Sequence, residues 1–376
     1  MNKIIVVLLG LSLLPRPAMA ARAEVSLEEL FGTIGDQPGP FVLHLHCGDG
    51  ETTGKLLAQD GIVVQGLDTD AGKVAEARRR PEYREQYGRR ITFRQFDGAH
   101  LPFINDSVNH LLSLEPIRVS LLEIHRALVP GGMAVFPSNK APKIGKELAA
   151  VTRIESGRYE GFYRIEKKWP SDIDEWTHHM HGPDNNRVSR DTRLAPPLSH
   201  LQWTTGPRFT RHHEHMSSFQ AMVSAGGKVF YIIDEGSKDS VLLPPDWNLV
   251  ARDAFNGIEL WRKKLDHWFN HMWPFKSGPL VVTRRLVVKD DRLFAALEMG
   301  GGISVLDAHT GALLHELPGT EGAEEIIVEG DRLFVAQRQW LAEADKYNGK
   351  TAVTSGGTAA RMTRNFGWHA AAGRQQ

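Results

Sequence analysis

Four residues in the first third of the chain have the types and spacing to hold a cofactor that carries a ribose. Gly48 and Gly50 directly follow an apolar run at residues 41–46. Asp68 ends the next apolar run, twenty residues after Gly48, and Asp97 ends the run after that. A glycine-rich turn after a buried strand lets backbone approach a cofactor, and an acidic residue ending the next strand accepts hydrogen bonds from ribose hydroxyls.

Two histidine clusters offer a different chemistry. They share the spacing His-His-x-His and begin at residues 178 and 212. Alternate residues of a strand face the same way, so His179 with His181, and His213 with His215, are candidate metal ligands. The alternative, which we favour, is a polar loop in which these histidines pack on neighbouring tryptophans.

The elements that must position the glycines and acids alternate between two kinds. Short apolar runs typical of buried strands are separated by helical stretches, and this alternation predicts a parallel sheet with helices on its faces. The expected strands are at residues 41–46, 62–68, 91–97, 108–115 and 133–137, and the expected helices at residues 52–59, 71–80 and 120–128.

Together these motifs resemble class I S-adenosylmethionine (AdoMet) methyltransferases, which have an α/β fold of the Rossmann type. Besides the glycine turn, residues 101–109 (LPFINDSVN) resemble the family's LPF…DxSFD run, and residues 123–132 (EIHRALVPGG) resemble its ExxRxLxPGG element. Each motif alone is weak, but all occur in the family's order and spacing. The resemblance covers about a quarter of the chain and implies these AdoMet-binding residues: His46, Gly48, Asp49, Gly50, Asp68, Asp97 and Gly98.

Three positions depart from the family pattern. His44 stands where the family has an acidic residue, His46 stands at its first glycine, and Asn109 replaces an acidic residue. A Cβ and an imidazole at position 46 are expected to crowd the tight turn. AdoMet binding is therefore expected to be weakened, and no catalytic residue is indicated, because proximity and alignment carry much of the rate of methyl transfer.

The second half of the chain has a different pattern. After about residue 168, short β-like runs and turn signals replace helical periodicity, which predicts an all-β region. An internal repeat supports this prediction, because residues 253–261 (DAFNGIELW) match residues 307–315 (DAHTGALLH) at an offset of 54 residues. A strand–turn–strand unit repeated at such a period is typical of β-propeller blades.

The repeat resembles the tryptophan-docking motif of quinoprotein-type propellers, which include pyrroloquinoline quinone (PQQ) dehydrogenases and non-enzymatic envelope scaffolds. Asp253, Gly257 and Trp261 match in the first copy, whereas His315 replaces tryptophan in the second. About 200 residues hold at most three or four blades, fewer than closure needs. A partial propeller that does not bind PQQ is therefore expected, and self-association through its open strand edges is one consequence.

Residues 1–20 resemble a secretory signal, with Lys3, an apolar core and the cleavage site Ala18-Met19-Ala20. Export to the periplasm or cell envelope is therefore expected, with no transmembrane helix in the mature chain. Lys plus Arg and Asp plus Glu both number 45, so nothing favours a nucleic-acid partner. A small-molecule or protein partner stays open.

The sequence thus predicts an α/β Rossmann-like methyltransferase domain followed by an all-β partial propeller. Three functions fit: an AdoMet-dependent methyltransferase of unknown acceptor, a non-catalytic binding or scaffold protein of the cell envelope, and, with less support, a quinoprotein or metal-dependent oxidoreductase. The expected boundaries are a signal peptide at 1–20, the methyltransferase-like domain at 25–150, a linker and entry segment at 151–200, propeller repeats at 201–340 and a poorly ordered tail at 341–376.

Overall fold

The computed structural model describes residues 41–58, 61–138, 143, 145–156, 162–194, 197, 201–210, 218–239, 243–266, 268 and 280–337. The predicted signal segment at 1–20, the candidate ligands His213 and His215, and the predicted tail at 341–376 lie outside these residues. Within the described part of the chain, no helix is both long enough and apolar enough to cross a bilayer.

The first half of the described chain forms a seven-stranded sheet in the order β3-β2-β1-β4-β5-β7-β6. Strands β1 to β5 are parallel to their neighbours, while β7 pairs antiparallel with both β5 and β6. The strands are β1 (Phe41–Leu45), β2 (Val63–Asp68), β3 (Ile91–Gln95), β4 (Val108–Ser113), β5 (Leu128–Pro137), β6 (Thr152–Ser156) and β7 (Phe162–Lys167).

Four helices connect these strands: α1 (Glu51–Lys55), α2 (Ala71–Arg79), α3 (Leu121–Ala127) and α4 (Lys146–Val151). Side-chain caps begin two of them, because the Asp70 carboxylate accepts from the backbone of α2 and the Ser120 hydroxyl accepts from that of α3. All of β4 is buried, as expected for a central parallel strand covered on both faces. The predicted Rossmann-like fold is confirmed, and the sheet continues to Lys167, past residue 150, because the β6–β7 hairpin extends it.

In the second half, the described residues form two four-stranded antiparallel sheets and one two-stranded sheet. Each four-stranded sheet is a simple meander in which consecutive strands pair. The strands are β8 (Phe219–Ala225), β9 (Lys228–Asp234), β10 (Trp247–Asp253) and β11 (Glu259–Lys264); β12 (Leu286–Lys289), β13 (Arg292–Ala296), β14 (Ile303–Asp307) and β15 (Leu313–Leu317); then β16 (Ala323–Glu329) and β17 (Arg332–Gln337).

One sequence prediction in this half is wrong. The apolar run at residues 280–288 is predicted from its composition to be one β-strand, but Leu280–Thr283 forms a short helix, α5, before β12 begins at Leu286. A short apolar run cannot be assigned to helix or strand from its periodicity alone.

A segment at residues 176–178 joins the first strands of all three antiparallel sheets. β12 packs against both β8 and β16, so these three strands lie side by side. Residues 176–178 form hydrogen bonds with β8, β12 and β16, and this one segment therefore connects the three sheets. The bonds are Trp176 N to Ser224 O (3.0 Å), Ser224 N to Trp176 O (2.8 Å), Val288 N to Thr177 O (3.0 Å) and Val328 N to His178 Nε2 (3.1 Å).

Both copies of the internal repeat form the same turn, and an indole packs on each. Trp203 lies over Gly257 and donates to Ala254 O at 2.8 Å, while Trp261 lies over Gly311 and donates to Ala308 O at 3.1 Å. A Cβ on either glycine would lie within 2.7 Å of the indole. Glycine is therefore required for close approach of the ring, besides its positive φ.

Candidate functional site

The sheet order places a crevice between β1 and β4. These strands are neighbours but are not consecutive, so the connections that leave their carboxyl ends run in opposite directions. In open α/β sheets, ligands bind outside the carboxyl ends of the strands at such a switch point. The residues after β1 and at the ends of β2 and β4 therefore line the candidate site.

The glycine turn and the acid that ends β2 are in direct contact. Gly48 N donates to Asp68 Oδ2 at 2.9 Å, and Asp70 N donates to Asp68 Oδ1 at 2.9 Å. Each carboxylate oxygen keeps a further lone pair, so ribose hydroxyls can still donate to it. Gly48 has a φ of +57°, and a Cβ built there would meet nothing within 4 Å. The open space beside Gly48 and the acceptors of Asp68 together fit the ribose end of AdoMet.

The other predicted cofactor residues have local partners. Gly50, with a φ of +86°, packs so closely on Phe93 that a Cβ would lie 2.8 Å from its ring. Asp49 accepts from Glu51 N at 3.1 Å and forms an ion pair with Arg80. These contacts fix the turn's shape around Gly48.

Asp97 and Gly98 lie in the connection after β3. The Asp97 carboxylate accepts from the backbone of Ala99 and His100 and bonds the His100 ring at 2.7 Å. Hydrogen bonds from His100 hold the pKa of Asp97 well below its ordinary value. Asp97 is exposed and ionised at the same edge of the sheet as Asp68, where the resemblance places the adenine.

His46 bridges the switch point. Its Nδ1 lies 3.0 Å from the hydroxyl of Ser113, the last residue of β4. The backbone at His46 is left-handed, with a φ of +56°, so the turn has the conformation that a glycine adopts readily. The imidazole avoids the turn because it extends across the crevice towards β4.

His44 is buried within β1, where the family pattern has an acidic residue. Its side chain is 2% exposed, and Nδ1 lies 2.8 Å from the Thr53 hydroxyl in α1. Burial, with a smaller contribution from nearby His46, lowers the pKa of His44 to about 4. The ring is therefore neutral at pH 7 and contributes no charge to the crevice.

The turn between β10 and β11 contacts the seven-stranded sheet at the amino end of β4, away from the candidate site. Asn109, near the start of β4, donates from Nδ2 to Asp253 Oδ2 at 2.7 Å and accepts at Oδ1 from Asn256 Nδ2 at 2.8 Å. Asn256 also donates to Ser107 O at 3.2 Å. These contacts lie at the amino end of β4, whereas the candidate cofactor residues follow the carboxyl ends. The described antiparallel sheets therefore leave the crevice accessible.

The contact with Asp253 explains why residue 109 is an asparagine. An aspartate there would place its carboxylate against that of Asp253 in a buried position, and like charges at this distance cannot both stay ionised. Asparagine supplies the donor that Asp253 needs. The sequence motif does not indicate this role of Asn109, because its partner Asp253 is 144 residues away in sequence.

The histidine cluster at 178–181 has structural partners. His178 accepts from Val328 N, and burial lowers its pKa to about 4. His181 Nε2 lies 2.7 Å from Asp174 Oδ2, and its ring packs edge-on against Trp176. Among the residues described, no group of three or more His, Cys, Asp or Glu side chains is arranged to hold a metal ion. A site involving His213 and His215 stays a prediction.

Comparison with known proteins identifies the first domain. Residues 42–132 match a family model described as a methyltransferase domain. A demethylmenaquinone methyltransferase of Beutenbergia cavernae is 34% identical over 116 residues, which are 29% of this chain and 45% of that protein. The methyltransferase GfsG of Streptomyces halstedii is 29% identical over 120 residues, or 30% and 43% of the two chains. This chain thus spans less than half the length of either curated relative.

Solved structures give a weaker likeness. A putative S-adenosyl-L-methionine-dependent methyltransferase of Methanococcus maripaludis is 17% identical with a TM-score of 0.30, covering 39% of this chain and 84% of that one. At that TM-score the likeness supports nothing further. The family match and the doubly wound sheet agree: residues 42–132 are similar to a methyltransferase domain and have a Rossmann-like fold.

Proposed function

We propose that the domain formed by β1 to β7 binds AdoMet and transfers its methyl group to a small-molecule acceptor. The observation that carries this proposal is the contact between Gly48 and Asp68 beside the switch point, with open space above the glycine. AdoMet, when bound, supplies a methyl group already activated on a sulfonium. The residues of this chain then have to bind and align it.

Six of the seven predicted cofactor-binding residues have a role in this proposal. Asp68 accepts hydrogen bonds from the ribose hydroxyls, and Asp97 lies beside the adenine. Gly48 allows the methionine part of the cofactor to approach the backbone, and Gly50 keeps the turn packed on β3. Asp49 belongs to the turn after β1 that contains Gly48 and Gly50, and Gly98 belongs to the connection after β3 that contains Asp97.

Calorimetric titration with AdoMet and with S-adenosylhomocysteine tests the proposal. We expect saturable binding to the wild-type chain, and about tenfold or more weaker binding to Asp68→Asn, because a charge-assisted hydrogen bond contributes about 1.5–3 kcal/mol. Asp70→Asn, which keeps the cap of α2, is the matched control and should bind as the wild type does. Absence of binding to the wild type at high micromolar ligand contradicts the proposal.

A non-catalytic binding protein is the second candidate. The buried, neutral His44 favours it, because the family's acidic residue is missing there. The two candidates separate on one measurement: a binding protein retains AdoMet without forming S-adenosylhomocysteine when acceptors are supplied, whereas an enzyme forms it.

We also propose that the antiparallel sheets are consecutive blades of a partial quinoprotein-type propeller, on a chain exported by residues 1–20. The two indole–glycine contacts and the paired meanders support the propeller. PQQ binding is not part of this proposal. Recovery of the chain from a periplasmic fraction, with its amino terminus at Ala21, would support export, and a cytoplasmic chain that retains Met1 would contradict it.

A further inference from the structure

His46 is the residue of the crevice that the family pattern does not explain. A glycine would adopt its φ of +56° without strain, whereas a residue with a Cβ adopts it at a cost. Strained backbone of this kind concentrates at functional sites, since surrounding structure must maintain it. The imidazole at position 46 is therefore expected to have a function that offsets the cost of this backbone conformation.

The hydrogen bonds around Ser113 fix which nitrogen of His46 carries the proton. The Ser113 hydroxyl donates its single proton to Glu115 O at 2.7 Å. Its oxygen can then only accept, both from Glu115 N at 3.3 Å and from His46 Nδ1 at 3.0 Å. Nδ1 is therefore the protonated nitrogen, and Nε2 carries the lone pair.

Nε2 is available to a ligand. It has no hydrogen-bond partner among the residues that the structure describes, and the ring is only partly buried. Because His46 follows β1 and Ser113 ends β4, the ring spans the crevice in which ligands of this fold bind. A base held through Nδ1–H with Nε2 facing a reactant is the arrangement that general-base histidines use.

We infer that His46 accepts the proton of the methyl acceptor, which is then a molecule with a neutral O–H or N–H group at the reacting atom. In the step, that oxygen or nitrogen bonds to the methyl carbon, and the carbon–sulfur bond breaks with its electron pair remaining on sulfur. The acceptor's proton moves to Nε2. The products are the methylated acceptor, S-adenosylhomocysteine and an imidazolium, so the single positive charge is conserved.

This inference rests on the proposed function, and a binding experiment separates the two. Sinefungin carries an ammonium group where AdoMet carries its transferable methyl, whereas S-adenosylhomocysteine has nothing there. When no methyl acceptor is bound, a water in the place of its reacting atom can bridge the Nε2 lone pair to this ammonium, so the chain should bind sinefungin more tightly than S-adenosylhomocysteine. We expect the wild-type chain to prefer sinefungin by about tenfold or more, because hydrogen bonds to charged groups are among the stronger ones.

His46→Gly supplies the decisive comparison. It restores the family residue and relieves the backbone strain, so the urea midpoint should not fall. Its affinity for S-adenosylhomocysteine should stay within about twofold of wild type, while the preference for sinefungin should drop about tenfold. Ser113→Ala should lose part of the preference, because His46 is then no longer held in one tautomer. His100→Gln, which removes another imidazole from the same edge, is the control and should keep it.

Each outcome has a separate meaning. If neither ligand binds to the wild type, the proposed function fails and this inference fails with it. If both bind and His46→Gly keeps the preference for sinefungin, the proposed function stands and the role of His46 is wrong. Loss of the preference in His100→Gln instead would move the role to His100.

Discussion

The two copies of the repeated turn have the same local structure and different surroundings. In each, the first aspartate accepts from the backbone two and three residues later: Asp253 from Phe255 and Asn256, and Asp307 from His309 and Thr310. In each, an indole from an earlier part of the chain covers the glycine. The nine-residue motif therefore determines the turn by itself.

The surroundings of the two turns differ at the carboxylate oxygen, Oδ2, that the backbone of the turn does not use. Asp253 is 4% exposed, and its Oδ2 accepts from Asn109 of the methyltransferase domain. Asp307 is partly exposed, and Thr310 Oγ1 donates to the same Oδ1 that the backbone uses. The first copy has become the contact surface for the neighbouring domain, while the second remains a turn. A repeated motif can thus acquire a second role without changing its local structure.

The largest expected effect comes from Asn109→Asp, which restores the family's acidic residue. It places two buried carboxylates against each other, and we expect a loss of about 3–5 kcal/mol of unfolding free energy at pH 7. The measurement is urea unfolding followed by tryptophan fluorescence.

A reversed pair tests the cause. In Asn109→Asp combined with Asp253→Asn, the amide and the carboxylate exchange places, so the donor and acceptor are restored and most of the lost stability should return. Asn109→Asp combined with Asp307→Asn should stay as unstable as Asn109→Asp alone. Equal recovery in both double variants would show that the contact with Asp253 is not what requires asparagine.

The next effect compares the two aspartates directly. Asp253→Ala removes the acceptor for one buried amide and two backbone donors, and we expect it to destabilise the chain by about 3 kcal/mol. Asp307→Ala exposes its donors to water and should lose only about 1 kcal/mol. Parallel urea titrations of the two variants are sufficient, and similar losses would mean that the domain contact adds nothing to the first turn.

These two turns also show which features of the structure can be predicted from the sequence. The repeat, its turns and its flanking strands follow from a short motif, and the order of Gly48, Asp68 and Asp97 follows from strand–helix alternation. The partners of Asn109 and His46 do not, because they are 144 and 67 residues away and are set by how the sheets assemble. The sequence predicts crowding of the glycine turn by the side chain at position 46, but it does not indicate that the ring contacts Ser113.

Strands β6 and β7 were missed for a related reason. Residues 162–167 (FYRIEK) alternate apolar and polar residues only weakly, and Lys167 belongs to the interior. Lys167 is 5% exposed, and its ammonium donates to His125 O, Leu128 O and Asp106. Lysine is usually exposed, so the sequence does not predict that Lys167 is buried within the sheet and hydrogen-bonded there. Such buried cations become recognisable only once their acceptors are in place.

The smallest expected effect is a difference in titration between the two aspartates. Burial raises the pKa of Asp253 above its ordinary value of 3.8, despite the hydrogen bond from Asn109. At Asp307, burial acts in the same direction but is outweighed by hydrogen bonds from Thr310 and His309, so the pKa is lowered. Carbon-13 NMR of the carboxyl groups should show Asp253 losing its proton at a higher pH than Asp307.

The contributions of Asp253 and Asp307 to the unfolding free energy should change with pH in opposite directions. The folded-state pKa of Asp253 lies above its unfolded value, so this group lowers stability as pH rises from about 4 through the folded pKa. The folded-state pKa of Asp307 lies below its unfolded value, so its contribution is present above about pH 4 and is lost as pH falls through the folded pKa. Relative to wild type, Asp253→Asn should therefore gain stability as the pH is raised from 3.5 to 7, and Asp307→Asn should lose it. The same sign in both variants would show that burial does not control the ionisation of Asp253.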